Sequence, residues 1–145
     1  MTSIKTQNLG YPRIGFRREL KKALEAFWRG DFSEQDLQST AASLRRLHWE
    51  KQRDLGIDLI PSNDFSLYDQ VLDMSCLLGN VPARFEWNGK ADIDLDLYFR
   101  MARGHQIDVG IESLAVCDCS DYRGPQFACE MTKWFDTNYH YLVPE

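Results

Sequence analysis

The stretch that most limits what this chain can become is Leu9–Trp28, LGYPRIGFRRELKKALEAFW. It opens as an apolar run broken by Gly10, Pro12 and Gly15. Pro12 cannot donate to a sheet ladder, so Leu9–Ile14 can be a short strand but not a full central one. Gly15 then frees the backbone to turn. From Arg18 onward, Leu20, Ala23, Leu24, Phe27 and Trp28 recur at i, i+3, i+4, i+7 and i+8, the spacing of one helix face. Gly30 is the expected residue just past the helix end.

The same stretch concentrates charge. Between Arg13 and Lys22 lie five bases (Arg13, Arg17, Arg18, Lys21, Lys22) and one acid, Glu19, so ten residues carry +4. The whole chain carries −5, which leaves −9 on the other 135 residues. Two readings fit a positive knot in an acidic chain. One is a bound anion, met by side-chain charge and the free N–H groups of a helix start together. The other is a solvated basic face, with Glu25 relieving part of the repulsion through Lys21 and Lys22.

At 145 residues the chain is long enough to bury a core, and 43% hydrophobic with 27% charged residues is an ordinary globular composition. The negative balance argues against a nucleic-acid partner, which needs a dense basic face. No apolar run approaches the roughly 18 residues of a membrane span, and no signal-peptide core precedes the first elements. The chain reads as soluble and cytoplasmic.

Taken in order, residues 1–8 are polar and expected to fray. A second helix starts at Ser33, where Asp36 three residues on makes a capping-box variant, and Leu37, Ala41, Leu44, His48 and Leu55 mark its face up to Gly56. Ile57–Ile60 reads as a buried strand ended by Pro61 and followed by the polar residues Ser62, Asn63 and Asp64. A helix over about Ser66–Leu78 closes at Gly79, Asn80–Ala91 reads as a connection, and Asp92–Arg103 is a fourth helix capped by Asp92 or Asp94. Ile107–Val116 fits a strand or a loop equally. Glu130–Phe135 and Tyr139–Val143 are β-like. Strand, polar loop, helix is the repeating unit of α/β folds, whose ligands gather at the carboxyl ends of the strands. The last apolar segment has no covering helix after it, and the chain is expected to be part of a longer protein.

Lys133 stands inside the aromatic segment Met131–Phe135. Either it is partly desolvated beside a carboxylate, or it snorkels to water from an edge strand. Cys117-x-Cys119, with Cys129, His105 and His140, lacks the paired spacing of a zinc site, and the four cysteines are expected to be free thiols. Asp92-Ile-Asp94-Leu-Asp96 begins like a calcium loop, but Leu97 and Arg103 stand where that loop needs Gly and Glu. No spacing supports a catalytic triad on His48, His105 or His140; a buried structural histidine is the expected role.

The blocks LGYPRIGFRRELKKALEAFWRG, LRRLHWEKQRDLGIDLIPSNDFSLYDQVL, LLGNVPARF and EMTKWFDTNYHYLVPE together resemble the N-terminal domain of cobalamin-independent methionine synthase. They cover nearly the whole chain in the family's order, with about Gly104–Cys129 poorly matched. The resemblance implies an α/β fold, the N-terminal part of a (β/α)8 TIM barrel, incomplete at about three strands with their helices. It implies that residues 1–145 belong to a longer enzyme of two such barrels. That enzyme is a methyltransferase that moves a methyl group from 5-methyltetrahydropteroyltri-L-glutamate to homocysteine, without cobalamin. It uses a zinc ion whose ligands lie in a C-terminal barrel beyond this chain. Arg18, Glu19, Leu20 and Lys21 match the family's folate-binding segment, and Lys133 matches a lysine that also contacts folate. No residue of this chain is implied to be catalytic or a metal ligand, and the piece by itself is expected to be inactive. A stand-alone, non-catalytic module that binds folate or another polycarboxylate is the alternative.

Overall fold

The protein is described from a computed structural model over residues 4–104 and 126–145. The chain divides into two compact units, Met1–Gln70 and Val71–Glu145. Among the described residues there are four α-helices and one two-stranded sheet, a mixed α/β arrangement.

The first unit is built on a pair of packed helices, α1 (Glu19–Trp28) and α2 (Glu34–Asp54). Leu20, Ala23, Leu24 and Ala26 of α1 meet a core that includes Leu37, Ala41 and Leu44 of α2; Leu20 and Leu37 are completely buried. The expected capping box at α2 is present. Asp36 N–H donates to the Ser33 hydroxyl, and Ser33 N–H donates back to the Asp36 carboxylate. Both helices end on a left-handed glycine, Gly30 and Gly56. In each case the glycine N–H and the N–H after it turn back onto the last carbonyls, Phe27 and Ala26 in α1, Arg53 and Gln52 in α2.

The stripe of α2 departs from expectation at its end. Leu55 is exposed, because it caps the helix rather than continuing it, and Gln52 takes the buried place. Gln52 is satisfied there by accepting from Asn8 Nδ2 at 2.8 Å and donating to the His48 carbonyl at 3.0 Å.

No strand forms over Leu9–Ile14, and Ile57–Ile60 is reduced to a single parallel bridge between Gln7 and Leu59. Leu9 is fully exposed, so the apolar letters there do not mark a buried ladder. Of the N-terminal residues expected to fray, Thr6, Gln7 and Asn8 are instead tied down. Thr6 N–H and its hydroxyl donate to the Asp58 carboxylate, and Leu59 N–H donates to the Thr6 carbonyl. Parallel pairing therefore exists, but one step upstream of the reading from hydropathy. One backbone bond and the Thr6–Asp58 contacts hold it, and the ladder goes no further.

In the second unit, α3 (Gln70–Leu77) is shorter than the expected Ser66–Leu78. A 3₁₀ turn, Ala83–Phe85, lies within the expected connection and buries Phe85 beside α4 (Leu95–Arg103). Asp94, not Asp92, caps α4, accepting from Leu97 N–H at 2.8 Å. Strands β1 (Met131–Lys133) and β2 (His140–Leu142) pair antiparallel, Lys133 opposite His140. A barrel reading expects parallel neighbours; the short link from Trp134 to Tyr139 permits only a hairpin. Residues 107–116 lie outside the described part.

Arg84 ties this unit together. Its guanidinium pairs with the Glu145 carboxylate and donates to the Phe127 carbonyl at 3.1 Å, while Glu145 also accepts from Glu130 N–H at 2.9 Å. The hydrogen bond from Arg84, with help from Glu130, pulls the Glu145 carboxyl below its ordinary 4.5. A carboxylate depressed in the folded state adds stability that is complete above 4.5 and declines as the pH falls through the folded value. NMR titration of the Glu145 carboxyl carbon should therefore give a midpoint below 4.5, and Arg84→Met should bring it back up.

Candidate functional site

The residues singled out at the head of α1 adopt a tight arrangement around Gly15. The Arg18 N–H donates to the Gly15 carbonyl and the Leu20 N–H to the Ile14 carbonyl, both at 3.1 Å. Arg18 itself, at φ 61° and ψ 37°, is left-handed, which is uncommon for a residue with a side chain. The Glu19 carboxylate folds back and accepts from Arg17 N–H at 2.9 Å. Its own backbone N–H also lowers its pKa, as do the Arg17 N–H and the charges of Lys22 and Arg17, so it is ionised. Gly15 is required here. A Cβ on it would lie 2.3 Å from the Glu19 oxygen and 3.1 Å from Leu44, at a φ of +86°.

This geometry separates the four residues of the segment. Leu20 is completely buried and its N–H is spent on Ile14, so it is a packing residue. Glu19 is engaged within the turn. Arg18 is exposed and, among the described residues, has no ion-pair partner; Lys21 is half exposed and pairs loosely with Glu25 at 3.5 Å. Of the two readings of the basic cluster, the one in which free N–H groups and side-chain charge share an anion finds fewer open donors than a bare helix start offers. The Arg17, Arg18 and Leu20 N–H groups are used internally, which leaves fewer backbone donors to meet a ligand beside the side chains.

Lys133 belongs to the second unit. It is exposed on β1, and among the described residues no carboxylate pairs with it. The desolvated, carboxylate-paired reading is overturned and the edge-strand reading holds, because a two-stranded hairpin leaves both strands at an edge.

Beside Gly15 lies a groove of about 370 Å³, lined by Tyr11, Phe16, Glu19, Leu44, His48 and Lys51 among others. Hydropathy alone did not find it, since Phe16 is fully exposed and the wall comes from α2. His48 is buried against Tyr11, ring centroids 4.5 Å apart, and has the structural role expected of it. Asp64, a polar residue expected at a strand end, accepts from Tyr11 N–H at 2.7 Å. Arg13 donates to the Tyr68 carbonyl at 2.5 Å. These two bonds fasten the approach to α1 onto the loop after Leu59.

Among the described residues no group of three or more His, Cys, Asp or Glu converges as metal ligands, and no helix is long and apolar enough to cross a membrane. Cys76 and Cys129 are free thiols, burial pushing Cys76 up to about 11; Cys117, Cys119 and His105 lie outside the described residues.

The model of the cobalamin-independent synthase N-terminal domain matches residues 5–145. The chain belongs to that family. Similar proteins named 5-methyltetrahydropteroyltriglutamate–homocysteine methyltransferase include one from Salinibacter ruber, 54% identical over 138 residues, covering 95% of this chain and 17% of the relative. One from Acidithiobacillus ferrooxidans is 51% identical over 145 residues, covering 100% of this chain and 16% of the relative. One from Cytophaga hutchinsonii is 54% identical over 140 residues, 95% of this chain and 16% of the relative. The chain thus spans about one sixth of the length of these relatives.

Burial holds the His48 imidazole below its ordinary 6.5, outweighing the attraction of Asp64 and Glu19. A histidine depressed in this way leaves stability intact above 6.5 and lowers it as the pH falls below that value. The His48 ring-proton titration should show a midpoint under 6.5, and His48→Gln should flatten the unfolding free energy between about pH 5 and 7.

Proposed function

We propose that the chain supplies part of the methyl-donor surface of an enzyme that moves a methyl group from 5-methyltetrahydropteroyltriglutamate to homocysteine. In this reading residues 1–145 are the N-terminal part of a (β/α)8 barrel in a longer two-barrel protein. The parallel bridge Gln7–Leu59, with α1 and α2 between its halves, supports it as the first crossover of such a barrel. Arg18, Lys21 and Lys133 bind the glutamate tail; Glu19 and Leu20 belong to the same segment and shape it.

The observation that carries the reading is the display of Arg18 at the start of α1, exposed and without a carboxylate partner among the described residues, in a family whose members are named for a triglutamate substrate. A polyglutamate tail is a string of carboxylates. An Arg fork can hold one of them bidentately, whereas Lys21 and Lys133 act as point charges. Such contacts fix position and charge without taking part in the chemistry. Holding the donor tail in one place supplies orientation, which can lower a transfer barrier substantially.

Zinc, which the family resemblance implies, activates the homocysteine thiolate when bound. The described residues of this chain do not assemble a donor set for it, so no step here passes through the metal. Homocysteine and the metal are assigned to the part of the longer protein beyond these residues.

In the full-length enzyme, Lys21→Ala and Lys133→Ala should each raise KM for the triglutamate donor by about 3- to 10-fold, the scale of one charge-assisted contact. KM for homocysteine should stay unchanged. Unaltered donor kinetics in both variants would sink the assignment. Donor binding by the 145-residue chain with no turnover at any length of the protein would favour the non-catalytic module instead.

A further inference from the structure

We infer that Glu19 is a positioning residue: its carboxylate occupies the anion place at the head of α1 and fixes the backbone from which Arg18 and Lys21 present their charges. The inference rests on the polyglutamate reading above and assigns within it a role that contact with substrate would not.

Three observations carry it. The carboxylate accepts from the Arg17 N–H at 2.9 Å, one residue before the left-handed Arg18. Arg18 N–H is held by the Gly15 carbonyl at 3.1 Å, so both N–H groups flanking the turn are engaged. Gly15 has no Cβ, and the Glu19 oxygen fills the space where one would stand, 2.3 Å from the ideal position. A left-handed backbone at a residue with a long side chain persists only where its surroundings over-determine it. Here the Glu19 carboxylate supplies that constraint on one side and the Gly15 carbonyl on the other.

Charge separates this role from the two alternatives. An ionised Glu19 repels a glutamate tail, so it is not a ligand for one. If the basic cluster acted only through its summed charge, neutralising Glu19 would strengthen tail binding by removing a negative neighbour. Positioning predicts the opposite. With the carboxylate replaced by an amide, the Arg17 N–H loses its charged acceptor, the turn relaxes, and Arg18 no longer points from one place.

The test is equilibrium titration of the full-length protein, at fixed ionic strength, with the triglutamate and monoglutamate forms of 5-methyltetrahydropteroyl donor. Glu19→Gln should weaken triglutamate binding about tenfold, a factor equal to ~1.4 kcal/mol, and leave monoglutamate binding within about twofold. Glu19→Ala, which removes the acceptor altogether along with the charge, should give the same selective loss. Far-UV circular dichroism reports whether the variants remain folded; if Glu19→Gln does not, the Glu19→Ala result decides, and the reverse. Equal or tighter triglutamate binding by a folded Glu19→Gln protein overturns the positioning role. If Arg18→Ala and Lys21→Ala also bind the donor as the parent does, the polyglutamate reading itself has failed, and that outcome is distinct from the first.

Discussion

The first unit depends on how the chain enters α1. Glu19 is the first helical residue, and its side chain returns to the turn that precedes it instead of reaching into solvent. That return satisfies the N–H of Arg17, in the turn just before the helix. It also sets the helix phase. With Glu19 turned toward Gly15, Leu20 points straight into the α1–α2 core and is completely buried, while Arg18 and Lys21 fall outside it. One local hydrogen bond thus links the apolar packing of the helix pair to the display of charge on the opposite face. Gly15 makes the link possible, because any side chain there would take the volume the carboxylate needs.

Around this entry the chain is fastened by polar contacts, where hydropathy suggested a strand. Thr6 to Asp58, Asn8 to Gln52, Tyr11 to Asp64 and Arg13 to Tyr68 form a seam between the first residues and the last turn of α2 with the segment after it. Each of these bonds spans more than forty residues of sequence, so the seam closes the loop that contains both helices. Such long closures are entropically costly, and the helix pair shares that cost by bringing the ends of the loop near each other first. Asn8 Oδ1 and Arg13 Nε within this seam, and Ser66 Oγ, are buried without a hydrogen-bond partner among the described residues. A buried polar atom of this kind is ordinarily met by a water molecule.

What the sequence made legible follows from the range of the interactions involved. The helices were readable because their causes are local: the capping box at Ser33 and Asp36, the glycines after each end, and the i, i+3, i+4 stripe of Leu20, Ala23 and Leu24. Among the strands, the aromatic and branched runs Glu130–Phe135 and Tyr139–Val143 do hold β1 and β2, whereas Leu9–Ile14 forms none, because it looks apolar by letter while Leu9 stands fully exposed. Nothing within that segment states that Asp64, far along the chain, will claim the Tyr11 N–H. The same holds for Gln52 and Leu55, where a polar residue is buried and an apolar one exposed because Asn8 arrives to satisfy the amide. The site residues were legible as a cluster of charge and as a family motif. Their division of labour was not, since whether Glu19 faces a ligand or its own backbone depends on the shape of a single turn.

That division changes what the basic cluster is able to discriminate. A helix start with open N–H groups holds any small anion, because backbone donors are alike and close together. Here the Arg17, Arg18 and Leu20 donors are spent, and selectivity passes to side chains of different character. Arg18 offers a planar fork that matches a carboxylate, whereas Lys21 is a single charge already shared in part with Glu25 at 3.5 Å. A lone inorganic anion gains little from contacts of this kind, each of which is exposed and screened by salt. A ligand with several carboxylates in series gains from all of them at once, because the second and third contacts no longer carry the entropy of bringing a free ion to the surface. In the polyglutamate reading proposed above, Glu19 takes up the Arg17 donor with its own carboxylate, and the surface that remains gains with the number of charges on one flexible chain.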